Sequence, residues 1–153
     1  MPAPLRIRGA TSVERAALEA LQRRASDVWE AYREQLATHP DAIALPPAYV
    51  DSGWVRAAVA DGARPIGFSV VIPGATAIHE LNGLFVEPLH MHHGIGRALV
   101  EDAVACAMRD GAAALEVTAG PAQGFYEKTG FSVIGETRTR FGSAVRMRRN
   151  LRR

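Results

Sequence analysis

The chain has one cysteine, Cys106, among 153 residues. A single thiol cannot close an internal disulfide, so a reducing compartment, the cytoplasm, is expected. No apolar run approaches the ~18 residues that cross a bilayer, and no apolar signal-peptide core follows Met1. No membrane partner is therefore expected. A large excess of charge of one sign is absent as well. The net charge of +2 is too small to argue for a nucleic-acid partner. The arginines gathered at the C-terminus, Arg146, Arg148, Arg149, Arg152 and Arg153, have no interleaved aromatics on which bases could stack. They read as a solvated basic face. Internal repeats and disordered linkers are also absent. What remains, 48% hydrophobic and 22% charged residues, fits one globular domain over 1–153 with a substantial core.

The apolar patterning supplies the elements. Leu5-Arg6-Ile7-Arg8 alternates as a short strand. Thr11 with Glu14 is a capping-box pair opening a helix to about Arg24. Ser26-Asp27 caps a second helix from Val28 to about Leu36, which His39-Pro40 ends. Asp41 to Pro47 reads as loop, with one more helical turn near Tyr49. Trp54–Ala60 and Pro65–Ile72 form a hairpin around Asp61-Gly62. Thr76 to Val86 is a third strand, with a bulge suggested at Asn82-Gly83. A helix over Gly94 to Asp110 carries Ile95, Leu99, Ala103 and Cys106 on one face and ends at Gly111. A strand Leu115–Thr118, a short helix Pro121–Lys128 and a hairpin around Gly142 complete the chain. The fold class is α/β on a mixed sheet.

One stretch organises this pattern. Leu84-Phe85-Val86-Glu87-Pro88 reads as a strand end and turn, and Met91-His92-His93-Gly94-Ile95-Gly96-Arg97 as a glycine loop opening a helix. Two positions without Cβ let the backbone bend and come close to a ligand. The first N–H groups of the helix lack internal acceptors, and with the positive end of its dipole they suit a diphosphate. A P-loop is excluded, because no Lys-Ser or Lys-Thr follows the glycines. A dinucleotide fingerprint is excluded, because its third glycine is missing.

The stretch resembles the acetyl-CoA loop of the GNAT superfamily of N-acetyltransferases: a strand ending Val-x-Pro, then Gln/Arg-x-x-Gly-x-Gly/Ala. Met91 stands where Gln or Arg is usual, and its backbone N–H can supply the same donor. Gly124-Phe125-Tyr126-Glu127-Lys128-Thr129-Gly130-Phe131 is similar to the family's second signature, at the usual distance. The resemblance implies the GNAT fold, a mixed central sheet with a splayed parallel pair flanked by helices, and acetyl-CoA as co-substrate. It places Leu84, Phe85, Val86, Met91, His92, His93, Gly94, Ile95, Gly96 and Arg97 at that cofactor. The Asn that relatives often carry after the next strand is replaced here by Ala119-Gly120-Pro121.

Transfer of an acetyl group to an amine sets two proton problems. An ammonium of pKa near ~10.4 has to lose a proton, and a thiolate leaves more readily when protonated. The resemblance puts Tyr126 beside the thioester sulfur as acid; the alternative is a packing residue beside Phe125 and Phe131. Glu80 is the candidate base and His79 its alternate; strand alternation sends only one of them to the active face. His90, His92 and His93 lack a fourth ligand at metal spacing, so no metal is expected. Cys106 reads as core packing. On the acceptor side the resemblance offers Trp29, Tyr32, Arg33 and Arg138, with Asp27, Glu30 and Glu34 nearby. Aromatics with arginine suit an amine bearing a carboxylate, the acids suit a polyamine, and a peptide N-terminus is a third option. Dimerisation is common among such relatives, and nothing in this chain shows it. The expected activity is N-acetyl transfer to a primary amine of a small molecule or peptide. The alternative is a non-catalytic acyl-CoA sensor.

Overall fold

The structure is a computed structural model that describes residues 5–60 and 64–151. The Asp61-Gly62 turn, Arg152 and Arg153 lie outside the described residues. Elements follow one another as β1 (Arg6–Gly9), α1 (Arg15–Asp27), α2 (Glu30–Thr38), α3 (Pro47–Asp51), β2 (Val55–Val59), β3 (Pro65–Ile72) and β4 (Ile78–Val86). Then come α4 (Ile95–Arg109), β5 (Ala114–Ala119), α5 (Gln123–Lys128), β6 (Ser132–Thr139) and β7 (Gly142–Asn150). This is the mixed α/β order expected from the patterning. The residues form two compact units: one of residues up to Val70 with Gly83–Leu99, the other of Val71–Asn82 with residues from Val100 onward.

In the first unit β1, β2, β3 and the end of β4 lie side by side. β1 runs antiparallel to β2, and β2 to β3, with an irregularity at Ala58/Val59. α1 buries Leu18, Leu21 and Ala25, to 0%, 1% and 4% exposure. This stripe at i, i+3 and i+7 is the apolar face of one helix. Its continuation to Ala25 explains a difference from expectation. Ser26 and Asp27 complete α1 rather than cap the next helix, and Trp29 takes the N-cap of α2. Val28, the expected start of the second helix, is exposed, whereas Leu36 near its end is buried. α1 also holds the following loop by its backbone. Glu19 Oε2 accepts from Leu45 N–H at 2.7 Å, and Arg15 donates to Leu45 O at 3.3 Å.

The Thr11–Glu14 capping box forms as the sequence indicates, at a single 3-10 turn leading into α1. Thr11 N–H donates to Glu14 Oε1 at 2.9 Å, and Arg8 of β1 donates to the two Glu14 oxygens at 3.0 and 2.7 Å. One carboxylate therefore ties the first strand to the first helix.

In the second unit the start of β4 runs parallel to β5, pairing Ile78, His79 and Glu80 with Ala114, Leu115 and Glu116. β5 then pairs antiparallel with β7, and β7 with β6. Val100, Ala103, Val104 and Ala107 form the buried stripe of α4 here, with Leu115, Val117 and Met147 in the same core. α4 stops where Gly111, at φ 82°, takes the left-handed conformation that glycine adopts without a Cβ clash. Gly111 N–H then bonds Met108 O, and Ala112 N–H bonds Ala107 O. Those two bonds satisfy the last carbonyls of the helix.

Arg8 lowers the Glu14 pKa to about 2, its hydrogen bonds outweighing the opposing effect of burial, with the Thr11 N–H adding to the shift. A carboxylate whose folded pKa lies below its unfolded value stabilises the fold above the unfolded value, and that stabilisation is lost as pH falls through the folded one. Acid unfolding should therefore show a component between about pH 4.5 and 2. Denaturant midpoints measured across this range should lose that component in Glu14→Gln.

Candidate active site

The glycine loop lies in the first unit, and two clamps fix where it begins. Glu87 N–H donates to Ile66 O of β3 at 2.8 Å. Arg24 of α1 grips both Glu87 oxygens, at 2.8 and 2.6 Å. The Glu87 carboxyl is held below the usual carboxylate range, chiefly by the Arg24 hydrogen bonds. Pro88–His90 makes one 3-10 turn, closed by Met91 N–H to Pro88 O at 3.3 Å. The Met91 amide is thus engaged within the turn. His92 and Gly94 then adopt left-handed backbone, at φ 66° and 83°. Two such residues on either side of His93 reverse the chain into α4, whose first internal bond is Ala98 N–H to Gly94 O at 3.0 Å. The N–H groups of the first turn have no acceptor within the helix. The space a Gly94 side chain would fill is open. Ile95 and Leu99 turn inward onto Ala58, with Ile7, Ile66, Leu84 and Val86 around them. Phe85 packs against Phe68 with ring centroids 5.2 Å apart. The strand residues Leu84 and Val86 therefore form the packed floor of the loop, Phe85 turns to the other face of β4 onto Phe68, and His92, His93, Gly94 and Arg97 are the exposed rim.

Glu80 lies in the second unit. As alternation requires, His79 is buried and Glu80 faces the other way, half-exposed. The parallel register sets Glu80 directly beside Glu116. Arg146 of β7 stands between them. It donates to both Glu80 oxygens at 2.8 Å, to Glu116 Oε1 at 2.9 Å and to Thr118 Oγ1 at 2.7 Å. Arg148 holds the other Glu116 oxygen, at 2.8 and 2.5 Å. The Glu116 carboxyl stays below the usual range although burial, the largest single influence, opposes this; the two arginines together prevail. The Arg146 guanidinium is pushed upward, first by Glu80. Arg149 pairs with Glu101 at 2.7 Å. The expectation of a solvated basic face is corrected for Arg146, Arg148 and Arg149: each has a carboxylate facing it across the fold.

Tyr126 is buried, 7% exposed, with its ring edge-on to Phe125 and Phe131 at 5.2 and 5.5 Å. The local motif explains this placement. Phe131 N–H bonds Tyr126 O and Gly130 N–H bonds Glu127 O, with Gly130 at φ 98°. Phe131 then meets Tyr126 as the apolar contact that accompanies this helix stop. Arg149 adds a hydrogen bond to Thr129 O at 2.9 Å. These bonds and ring contacts account for the placement of the Tyr126 ring.

A cavity of about 480 Å³ opens beside α5 and the β6–β7 hairpin, lined by Gly120, Gln123, Glu136, Arg138, Ser143 and Val145 among others. Of the acceptor-side residues expected from the sequence, only Arg138 lines it. Trp29, Tyr32 and Arg33 are grouped in the other unit, where Tyr32 and Arg33 donate their N–H groups to Trp29 O. Burial raises the Tyr32 phenol, Arg33 Nε bonds Asp27 O at 3.1 Å, and Trp29 is 38% exposed. Nothing is described of the Glu30 side chain. Cys106 is corrected: it lies on the flank of α4, not its buried stripe, with Arg109 donating to Sγ at 3.0 Å. Among the described residues no group of three or more His, Cys, Asp or Glu side chains could hold a metal, and no helix is long and apolar enough to cross a membrane. Sequence reasoning missed Arg24, Glu136 and Arg146. Arg24 and Arg146 meet carboxylates 63 and 66 residues away, and no local spacing signals such pairs.

The model of the acetyltransferase (GNAT) domain matches residues 53–133, more than half of the chain. The chain belongs to the GNAT family. It is an acetyltransferase with acetyl-CoA as co-substrate. The fold agrees with that of a PaiA N-acetyltransferase from Thermoplasma acidophilum in complex with coenzyme A, at TM-score 0.78 and 20% identity over 96% of this chain and 99% of that one. It also agrees with an N-acetylglutamate synthase from Neisseria gonorrhoeae, at 0.75 and 20%, over 99% of this chain but 36% of that one. A nourseothricin acetyltransferase reaches 27% identity over 64% of this chain and 65% of that one, at 0.57. No curated protein matches the sequence.

In this GNAT chain Arg146 separates two carboxylates that the register forces together. Arg146→Met should destabilise the fold by about 2–4 kcal/mol, because it leaves like charges facing each other in a partly buried site. Chemical denaturation should show part of that loss restored in the double variant with Glu116→Gln, since one of the two charges is then gone.

Proposed function

We propose that this GNAT enzyme acetylates a primary amine of a small molecule or peptide by direct transfer. The loop described above would hold the diphosphate of acetyl-CoA. The observation that carries this reading is the left-handed pair His92 and Gly94 opening into the first turn of α4, with open space over Gly94. Oriented N–H groups at a helix start, backed by the helix dipole, suit a phosphate without any basic side chain. Met91 in place of Gln or Arg is then no handicap to the remaining amides of the loop. The glycine in the middle of β4 favours a bulge at Asn82-Gly83. A backbone N–H released there would polarise the thioester carbonyl.

In the reaction the amine nitrogen attacks the thioester carbon, the N–C bond forms and the C–S bond breaks. Acetyl-CoA supplies the acyl group and the leaving thiolate. The ammonium first loses one proton to a carboxylate, for which Glu80 is the sequence-based candidate. The second N–H proton leaves after attack. Tyr126 donates its phenolic proton to the sulfur and is reprotonated from solvent. To accept that proton Glu80 has to give up one of its two Arg146 bonds. The proposal takes residues 1–153 as one catalytic domain, and the lone thiol supports a cytoplasmic setting.

Tyr126→Phe keeps the ring contacts and the helix stop, so it removes the hydroxyl alone. It should lower kcat by an order of magnitude or more, with coenzyme A affinity unchanged by calorimetry. Unchanged turnover would take Tyr126 out of the reaction, and the absence of heat with coenzyme A would overturn the loop assignment.

A further inference from the structure

The last hairpin sorts its charged side chains into two groups. Arg146, Arg148 and Arg149 are each bonded to a carboxylate, and Arg140 lies over the Phe141 ring at 5.4 Å. Glu136 and Arg138 have no ion-pair or hydrogen-bond partner among the described residues, and both line the cavity of about 480 Å³. They stand two residues apart on β6, opposite Val145 and Ser143 of β7. Strand alternation therefore puts both on one face, about 6.6 Å apart along the strand. Arg140 and Arg146 show that arginines of this hairpin take a partner where the fold supplies one. Glu136 and Arg138 instead keep opposite charges turned to an empty volume.

The rest of the lining fits a small polar ligand. Ser143 contributes a hydroxyl and Gln123 an amide, while Ala119 and Val145 leave room because they are short. A guanidinium matches a carboxylate by two parallel hydrogen bonds. A carboxylate at Glu136 matches an ammonium. One molecule that carries both groups on adjacent atoms, a free amino acid or an amino-acid-like zwitterion, satisfies both charges at once. A polyamine would leave Arg138 facing a like charge, and a simple alkylamine would leave it unpaired.

We infer that this cavity binds the acceptor, and that the acceptor is a zwitterion whose carboxylate is held by Arg138 and whose ammonium is held by Glu136. The inference rests on the acetyl-transfer reading above and names its substrate class. It also moves a role. Glu116 and Thr118 share a face of β5 with the Arg146 network, and Ala119, on the cavity side, faces the other way. Glu80 and Glu136 thus lie on opposite faces of the sheet. An ammonium held at Glu136 loses its first proton to Glu136, directly or through one water, and Glu136 passes it to solvent. Glu80 then serves the strand network and not the amine.

The test compares acetyl acceptors by thiol release from acetyl-CoA, using the proteinogenic amino acids and their carboxamides, with coenzyme A binding by calorimetry on the same preparation. The wild-type protein should favour at least one free amino acid over its carboxamide. Arg138→Gln should raise KM for that amino acid roughly 10- to 100-fold, the range for a lost hydrogen bond to a charged group, with little change for the carboxamide. Glu136→Gln should lower kcat and erase the acid limb of its pH profile, whereas Glu80→Gln should leave that limb in place. Equal use of acids and carboxamides, an equal effect of Arg138→Gln on both, or an acid limb that follows Glu80 instead would overturn the inference while leaving acetyl transfer intact. Failure to bind coenzyme A would overturn both. Circular dichroism and denaturant midpoints should match wild type for the Glu136 and Arg138 variants, since both side chains are exposed on β6.

Discussion

The junction between β4 and α4 is the constraint on which the candidate site depends. A strand has to become a helix within eight residues, Glu87 to Gly94, and the helix start has to stay open to solvent. Left-handed backbone at His92, a residue with a Cβ, costs on the order of 1–2 kcal/mol, and histidine is among the side chains that tolerate it better. Such a conformation persists where the surroundings over-determine it. Here the Arg24–Glu87 pair and the Glu87–Ile66 backbone bond fix one end, and Ile95 and Leu99 buried on Ala58 fix the other. The loop is therefore held by its ends, and its middle is left free to present amides.

The second unit solves a different problem. A parallel pair brings equal positions of neighbouring strands together, and in this chain that sets Glu80 against Glu116. Two carboxylates side by side are unfavourable unless a cation lies between them. β7 supplies Arg146 and, two residues on, Arg148, both on the face that Glu116 occupies. The alternating arginines that look like a solvated tail in sequence are the counter-ions of an acidic ladder two strands wide. Their spacing of two is strand periodicity, and it makes sense only once the strand order β4-β5-β7 is known.

How much was legible follows from the range of each interaction. Local chemistry was read well: the Thr11–Glu14 box, the Pro65–Ile72 strand and the Gly111 stop each depend on residues within a few positions. The Phe-Tyr-Glu-Lys-x-Gly-Phe stretch was legible as a motif, yet its physics is a helix stop that buries Tyr126 against Phe131. Family likeness alone does not separate the ring's packing role from the hydroxyl's. Errors occurred where a second element decides. Cys106 falls one step off the stripe because Val100, Val104 and Ala107 set the buried face of α4. Ser26-Asp27 has the composition of a cap, but the core contact of Ala25 carries α1 past it. Arg24, Glu136 and Arg146 act with residues far along the chain or with a cavity, and a sequence pattern holds no record of either.

These contrasts bear on how a carboxylate should be chosen as a base. An acid whose two oxygens are both bonded to a guanidinium cannot accept a proton without giving up a structural bond. An acid of the same type with no partner, facing a cavity, can exchange its proton without breaking a structural bond. Glu80 belongs to the first kind and Glu136 to the second. The proposed preference for Glu136 over Glu80 rests on the counter-ion, because Arg146 is occupied with the acidic ladder whereas Arg138 lines the cavity. A substrate that brings its own carboxylate and ammonium would complete the second pair, and the need for both charges would reject amines that carry only one.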